Sequence, residues 1–247
     1  MYDHVLARIR KILAKAENPA ATAEEAEAYT AKAAELIAKY GIDRALLAQH
    51  DPSSDRIGDR VVVLDPPYAL DKAHLLQQVA MQLRCASIQR TRHVVGVKQL
   101  SIHLFGFASD LERTELLYTS LLLQAATGLT RAAAPFGESV AAFRRSWLAG
   151  FTSAVTNRLR EAEIRAQQRA AQQTGHTTEE GERSVALVLA DRTREAASAM
   201  QDAYPLRRQI PPRSLSGSGR PYGYRAGQRA DLGGTRVERG GRRGIAG

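Results

Sequence analysis

The chain has 247 residues, a hydrophobic content of 44% and a formal net charge of +9, which allows one or two small domains with a buried core. It contains no run of about 18 apolar residues, which excludes a transmembrane helix, and its amphipathic segment 1–20 lacks the apolar stretch of a signal peptide. The single cysteine, Cys85, excludes an internal disulfide and favours a reducing compartment. We therefore expect a cytoplasmic protein that has no membrane partner.

The N-terminal segment carries the signals of two helices. Apolar residues recur with the helical period up to Asn18-Pro19, which interrupts the pattern. Thr22 and Glu25 have the spacing of a capping box that starts a second helix. Gly41 stands where a glycine commonly follows a helix end, and a separate short helix is predicted after it. The pattern predicts a helical hairpin over residues 1–50.

The body of the chain, residues 60–204, contains both the alternating pattern of strands and the apolar period of helices. Apolar residues alternate in its middle part and recur with the helical period on both sides, and Ser109 with Glu112 forms another capping box. We predict an α+β domain in which a small antiparallel or mixed sheet packs against long helices. The predicted elements are a strand at 61–64, a helix at 70–83, strands at 85–95 and 99–107, helices at 109–134 and 139–172, a strand at 184–190 and a helix at 191–203. A polar surface loop is predicted at 167–182.

The helix at 139–172 has an apolar stripe that predicts a core contact. Its members, mostly four residues apart, are Phe143, Trp147, Phe151, Val155 and Leu159. Arginines flank this stripe, and Arg144, Arg158, Arg165 and Arg169 lie near one side of the helix. Such a face could follow a phosphate backbone. Because Glu161 and Glu163 interrupt it, we interpret it instead as a solvated, salt-bridged face.

The segment 205–247 carries almost all of the net charge. It has ten arginines, no lysine and two acidic residues, which gives a net charge of +8. It lacks an apolar period, so we predict a tail that is disordered alone or ordered only by docking. A basic tail of this kind is typical of proteins that bind polyanions, above all nucleic acids. Compositional bias is the alternative, because arginine far exceeds lysine in the whole chain.

Two tyrosines stand between the arginines of the tail, a pattern that suits single-stranded nucleic acid because bases stack on rings and on guanidinium planes. The candidate nucleic-acid-binding residues are Arg213, Arg220, Tyr222, Tyr224, Arg225, Arg229, Arg236, Arg239, Arg242 and Arg243.

An enzymatic alternative rests on polar residues near the strand ends. The candidates are His93, His103, Asp110 and Arg144, which would surround a pocket between the strand pair and the two long helices. The sequence has no paired cysteines and no histidine pair at metal-ligand spacing on a helix, so we predict neither a metal nor a cofactor. His93 and His103 could face each other across the strand pair. Cys85 is interpreted as a buried structural thiol.

Parts of the sequence resemble known families. Residues 9–17, 22–38 and the closing Lys39-Tyr40-Gly41-Ile42 resemble the N-terminal DUF2786 domain. The body resembles the DUF7168-type domain at 105–110 and 143–151, and the end of the chain is similar at 223–233. The resemblance implies a bacterial or phage protein. It implies no activity, and it assigns no catalytic or binding residue.

These observations lead to three hypotheses. The first is a non-enzymatic accessory protein that binds nucleic acid through its basic tail. The second is an enzyme with a pocket near the strand pair. The third is an interaction module whose N-terminal hairpin, too small to hold a full core, packs on the body or on a protein partner.

Overall fold

The structure is a computed structural model that describes residues 3–16, 23–94, 96–174, 184–205 and 214–230. Its helices and strands confirm the predicted α+β class. In chain order they are α1 (Asp3–Ala16), α2 (Ala23–His50), a 3₁₀ turn (Pro52–Ser54), β1 (Ile57–Leu64), α3 (Ala69–Gln82), β2 (Ala86–Val94), β3 (Val97–Phe107), α4 (Ala108–Arg131), α5 (Val140–Thr174), α6 (Val185–Ala203) and α7 (Arg220–Arg229). Within the described ranges, no helix is long and apolar enough to span a membrane.

The three strands form one antiparallel sheet in the order β1-β3-β2. Leu100, Ile102 and Leu104 of β3 are buried on one face, as the alternation predicted. The opposite face contacts the end of α6. The register places His103 beside Ile88 and His93 beside Lys98. The expectation that His93 and His103 face each other was therefore wrong, because they lie five ladder positions apart.

Helix α2 continues through Gly41 to His50, so the predicted helix end at this glycine was wrong. A Cβ on Gly41 would lie 2.2 Å from Cζ of Arg113. The glycine is needed because the Arg113 guanidinium occupies that space and donates to the Ile37 carbonyl (3.1 Å). The predicted capping residue Thr22 lies outside the described residues.

The segment 184–190 is the first part of helix α6, and its predicted strand was wrong. Ser184 caps this helix by accepting from the backbone N–H of Leu187 (3.4 Å). Val185, Val188 and Leu189 pack against α2 residues, a helical spacing that a short apolar run does not distinguish from a strand. The predicted loop at 167–182 was wrong over 167–174, where α5 continues. The rest of that loop lies outside the described residues.

The predicted Ser109–Glu112 capping box is replaced by a contact from elsewhere in the chain. Helix α4 begins at Ala108, and Ser109 uses its backbone N–H and its hydroxyl to donate to Asp55 (3.1 and 2.6 Å). A carboxylate at this position also complements the positive end of the helix dipole. The start of α4 is therefore fixed by the loop before β1.

A buried cluster of charged residues joins the helices to the sheet. We call it the ionic cluster; it contains Asp55, Arg84, Asp110, Arg113, Glu163 and Arg192. Asp110 accepts from Arg113 at 2.6 Å and from Arg192 at 2.9 Å. Glu163 accepts from Arg113 (3.0 Å) and Arg84 (2.9 Å), and Arg192 also donates to Asp55 (2.7 Å). Its three positive and three negative groups balance.

Asp110 and Arg113 have no exposed surface at all. Burial by itself raises the pKa of Asp110, but the charges of Arg113, Arg84 and Arg192 outweigh burial and hold its pKa below the ordinary value. Burial likewise lowers the pKa of Arg113, and Glu163 with Asp110 raises it above its usual range. Both groups are therefore ionised in the folded protein, and the folded state depends on that charge.

The lowered pKa of Asp110 in the folded state predicts that the protein loses stability in acid. A carboxyl whose pKa is lower in the folded state stabilises it above the pKa of the unfolded chain, and this stabilisation disappears as the pH falls through the folded-state pKa. We expect the free energy of unfolding to fall as the pH drops below the ordinary aspartate value of 3.8. Urea unfolding across a pH series should show a weaker acid dependence in Asp110→Asn than in the native chain. Equal pH dependence in both proteins would contradict the assignment to Asp110.

Cys85 lies beside the ionic cluster and is buried, as the sequence predicted. Burial, with the nearby charge of Asp110, raises the pKa of its thiol to about 12. Its Sγ is 3.5 Å from the Thr114 hydroxyl, and a Cβ on Gly106 would approach it to 2.8 Å. The thiol is thus neutral and tightly packed, which is typical of a structural cysteine rather than a nucleophile.

Candidate nucleic-acid interface

Helix α7 lies in the basic tail and packs along α5 at backbone distance. Gly219, Gly223 and Gly227 recur every four residues and face α5. A Cβ on these glycines would come within 2.2 Å of the Phe143 carbonyl oxygen, 1.8 Å of the Trp147 carbonyl oxygen and 2.6 Å of the Phe151 carbonyl oxygen, respectively. Because the contacts advance together along both helices, α5 and α7 run parallel. The glycines permit an approach that any side chain would prevent.

Side chains at both ends fix α7 in this position. Before the helix, Ser218 donates to Glu138 from its backbone N–H (2.7 Å) and its hydroxyl (2.5 Å). At the other end, Arg158 of α5 donates to the carbonyl of Gly227 (2.9 Å) and to that of Ala230. A cation at the C-terminus satisfies free carbonyls and complements the helix dipole. Residues 220–229 therefore form a helix that is docked on α5.

The remaining surface of α7 presents the predicted basic and aromatic residues. The exposed ones are Arg220, Tyr222, Tyr224, Arg225 and Arg229. No acidic residue occurs in the described segment 214–230, so this surface has three positive charges. The other predicted binding residues, Arg213, Arg236, Arg239, Arg242 and Arg243, lie outside the described residues.

The exposed residues divide between two sides of α7. Tyr222, Arg225 and Arg229 follow the i, i+3, i+7 spacing of a single helix face; we call them the Tyr222 stripe. The Arg225 guanidinium lies 4.9 Å from the centre of the Tyr222 ring, which shows that these side chains meet. Tyr224 is two residues from Tyr222, roughly 200° around the helix, and shares its side with Arg220. The structure therefore separates the two tyrosines.

The arginine face of α5 is engaged in other contacts. Arg165 pairs with Glu161 (3.6 Å), and Arg169 pairs with Glu35 of α2 (2.6 Å). Arg158 holds the end of α7. These contacts agree with the interpretation of this face as solvated and salt-bridged.

The four enzymatic candidates are not brought together. Asp110 is enclosed in the ionic cluster, His93 is exposed near the end of β2, and Arg144 is half-buried on α5. Two surface grooves, of about 630 and 430 Å³, are lined by other residues. No group of three or more potential metal ligands occurs among the described residues.

His103 has partners that sequence reasoning missed. Its Nε2 is 2.7 Å from Oδ2 of Asp59 on β1, and its Nδ1 is 2.8 Å from the hydroxyl of Tyr204 after α6. The His103 ring also packs against the Phe105 ring, with ring centres 4.2 Å apart and the ring planes tilted by 38°. No local sequence pattern could reveal this hydrogen-bonded series of Asp59, His103 and Tyr204, because its three residues come from separate elements. It ties the end of α6 to the sheet.

The comparisons with known proteins concern the N-terminal helices. Residues 4–44 match the family model described as "Protein of unknown function (DUF2786)", so the predicted DUF2786 domain is confirmed. This region covers α1 and most of α2, and it ends just after Gly41. Neither a curated protein nor a solved structure matches the chain. The match defines a domain class and assigns no activity to it.

Proposed function

We propose that the protein is a non-enzymatic nucleic-acid-binding accessory protein that uses the outer surface of α7 and the adjoining basic tail. The observation that supports this proposal is the orientation of α7. Its glycines face α5, and its arginines and tyrosines face solvent. A docked helix that presents only positive charge offers phosphates a fixed site.

The rest of the molecule would act as a rigid support for this surface. The buried ionic cluster and the core position α5, and α5 holds α7 through backbone contacts and Arg158. Holding the α7 backbone in place reduces the backbone entropy that is lost when its arginines bind a phosphate backbone. In this proposal the body is a DUF7168-like domain of a bacterial, phage or mobile-element protein.

Truncation after Tyr204 would be a poor test of the tail because it also removes α7. Without α7, the α5 surface around Phe143 and Trp147 would lose its cover. Truncation after Ala230 retains α7 and removes only the distal tail. Comparing the two forms separates the contribution of the helix from that of residues 231–247.

The direct test replaces the two stripe arginines by glutamine. We expect Arg225→Gln/Arg229→Gln to weaken binding to labelled oligonucleotides at low salt. The plot of log affinity against log salt should also flatten by about 1.8 for a duplex or about 1.4 for a single strand, because two phosphate contacts are lost. Fluorescence anisotropy across a salt series measures both quantities.

A matched control is the neutralisation of two exposed arginines on other helices, Arg145→Gln/Arg194→Gln, which changes the net charge by the same amount. An equal loss of affinity in this control would show that overall charge, and not α7, governs binding. No binding by the full chain to any oligonucleotide would reject the proposed function.

A further inference from the structure

From the position of the Tyr222 stripe we infer that the ligand of this surface is a single-stranded nucleic acid. In this arrangement Tyr222 stacks on an unpaired base, while Arg225 and Arg229 contact the neighbouring phosphates. The inference rests on the proposed function. It specifies that the nucleic acid is single-stranded and that Tyr222 binds it by stacking on a base.

The Tyr222 ring is held in place yet accessible. Half of the residue's surface is exposed (50%), and its ring centre lies 5.9 Å from that of Phe143 on α5. Arg225 lies over the ring at 4.9 Å. The contact with Phe143 already restricts the Tyr222 side chain, so a base that replaces Arg225 over the ring would cost little additional side-chain entropy of Tyr222. Stacking on aromatic rings is the common way in which proteins bind unpaired bases.

Because α7 is packed against α5, Tyr222 is poorly placed to contact a nucleic-acid duplex. A helix with its side chains is about 10–12 Å wide, close to the width of about 12 Å of the major groove. Helix α7 lies at backbone distance from α5, and Tyr222 lies at the junction of the two helices beside Phe143. Helices α5 and α7 together are wider than the major groove, so they cannot enter it side by side.

Paired bases also hide their faces within the stack and expose only their edges. The arginines can therefore contact phosphates of either ligand, whereas Tyr222 gains a contact only from an unpaired base. The ring adds a preference for single strands to an affinity that the charges provide.

The test uses the full chain and four labelled probes of about 15 nucleotides, within the site size of single-strand binding proteins. They are a thymidine strand, a uridine strand, an abasic strand with the same phosphates, and a mixed-sequence duplex. We expect Tyr222→Leu to weaken binding to the thymidine and uridine strands about tenfold, within the range for loss of one base stack. Binding to the abasic strand and to the duplex should not change. Tyr222→Phe should retain the native affinity, because it retains the ring.

Phe136→Leu is the control, since it also replaces an exposed aromatic ring by leucine but lies in the turn between α4 and α5, outside the proposed binding surface. It should leave binding to the unpaired strands within about twofold of native, well below the loss expected for a stacking residue. The fluorescence of Trp147, the single tryptophan of the chain, should be unchanged in both leucine variants if α7 stays docked.

Three results would overturn the inference while the proposed function survives. They are native affinity of Tyr222→Leu for the unpaired strands, an equal loss on the abasic strand, or tighter binding of the native chain to the duplex. Absence of binding to all four probes would instead reject the proposed function itself. Preference for uridine or thymidine supports the inference in either case and identifies RNA or DNA as the source of the strand.

Discussion

Replacing Asp110 by alanine should lower the free energy of unfolding by about 3–5 kcal/mol, the usual cost of removing one partner from a buried ion pair. Asp110 has no exposed surface and accepts from both Arg113 and Arg192. Its loss leaves two guanidinium groups in the interior with a net positive charge and too few acceptors. Urea unfolding followed by circular dichroism measures the change.

Asp43→Ala is the control for this prediction. Asp43 also pairs with a cation, Lys39 at 2.9 Å, but the pair is exposed and lies within one helix. Such pairs contribute about 0.3–0.5 kcal/mol. A similar small loss in Asp110→Ala would mean that the ionic cluster is not a determinant of stability.

Gly223→Ala should detach α7 from α5. The added methyl group would lie 1.8 Å from the Trp147 carbonyl oxygen, a backbone atom that cannot rotate away. Overpacking of this kind typically costs about 1–3 kcal/mol of folding free energy. Helix α7 can avoid the clash by separating from α5. Solvent would then reach Trp147, so its fluorescence should shift to longer wavelength. Amide exchange in residues 220–229 should accelerate, and nucleic-acid binding should weaken with it.

Gly58→Ala makes the same chemical change on β1, where a Cβ would meet nothing within 4 Å and the backbone is extended. It should leave the tryptophan spectrum and the exchange rates of α7 as they are. If Gly223→Ala behaves like Gly58→Ala, the close packing of α5 and α7 is not what holds the tail helix.

The site was predicted only in part from the sequence. Charge and composition identified the tail, and they identified Arg220, Tyr222, Tyr224, Arg225 and Arg229 as candidates. They did not reveal that α7 is a helix, because its glycines have poor helix propensity and its apolar content is low. The helix gains its stability from contact with α5, and that contact is not visible in local patterns.

Elements with a strong apolar periodicity could be predicted from the sequence alone. The strand pair, the alternation of Leu100, Ile102 and Leu104, and the buried stripe of α5 follow from the spacing of apolar residues, since burial of one face is a local property. The contacts between polar groups, in contrast, are visible only in the folded structure. Gly41 makes room for the Arg113 side chain and does not end a helix. Asp55 caps α4, and three arginines pair with three carboxylates in the interior. Such partners lie far apart along the chain, and the requirement that every buried charge be neutralised is satisfied only once the helices are assembled.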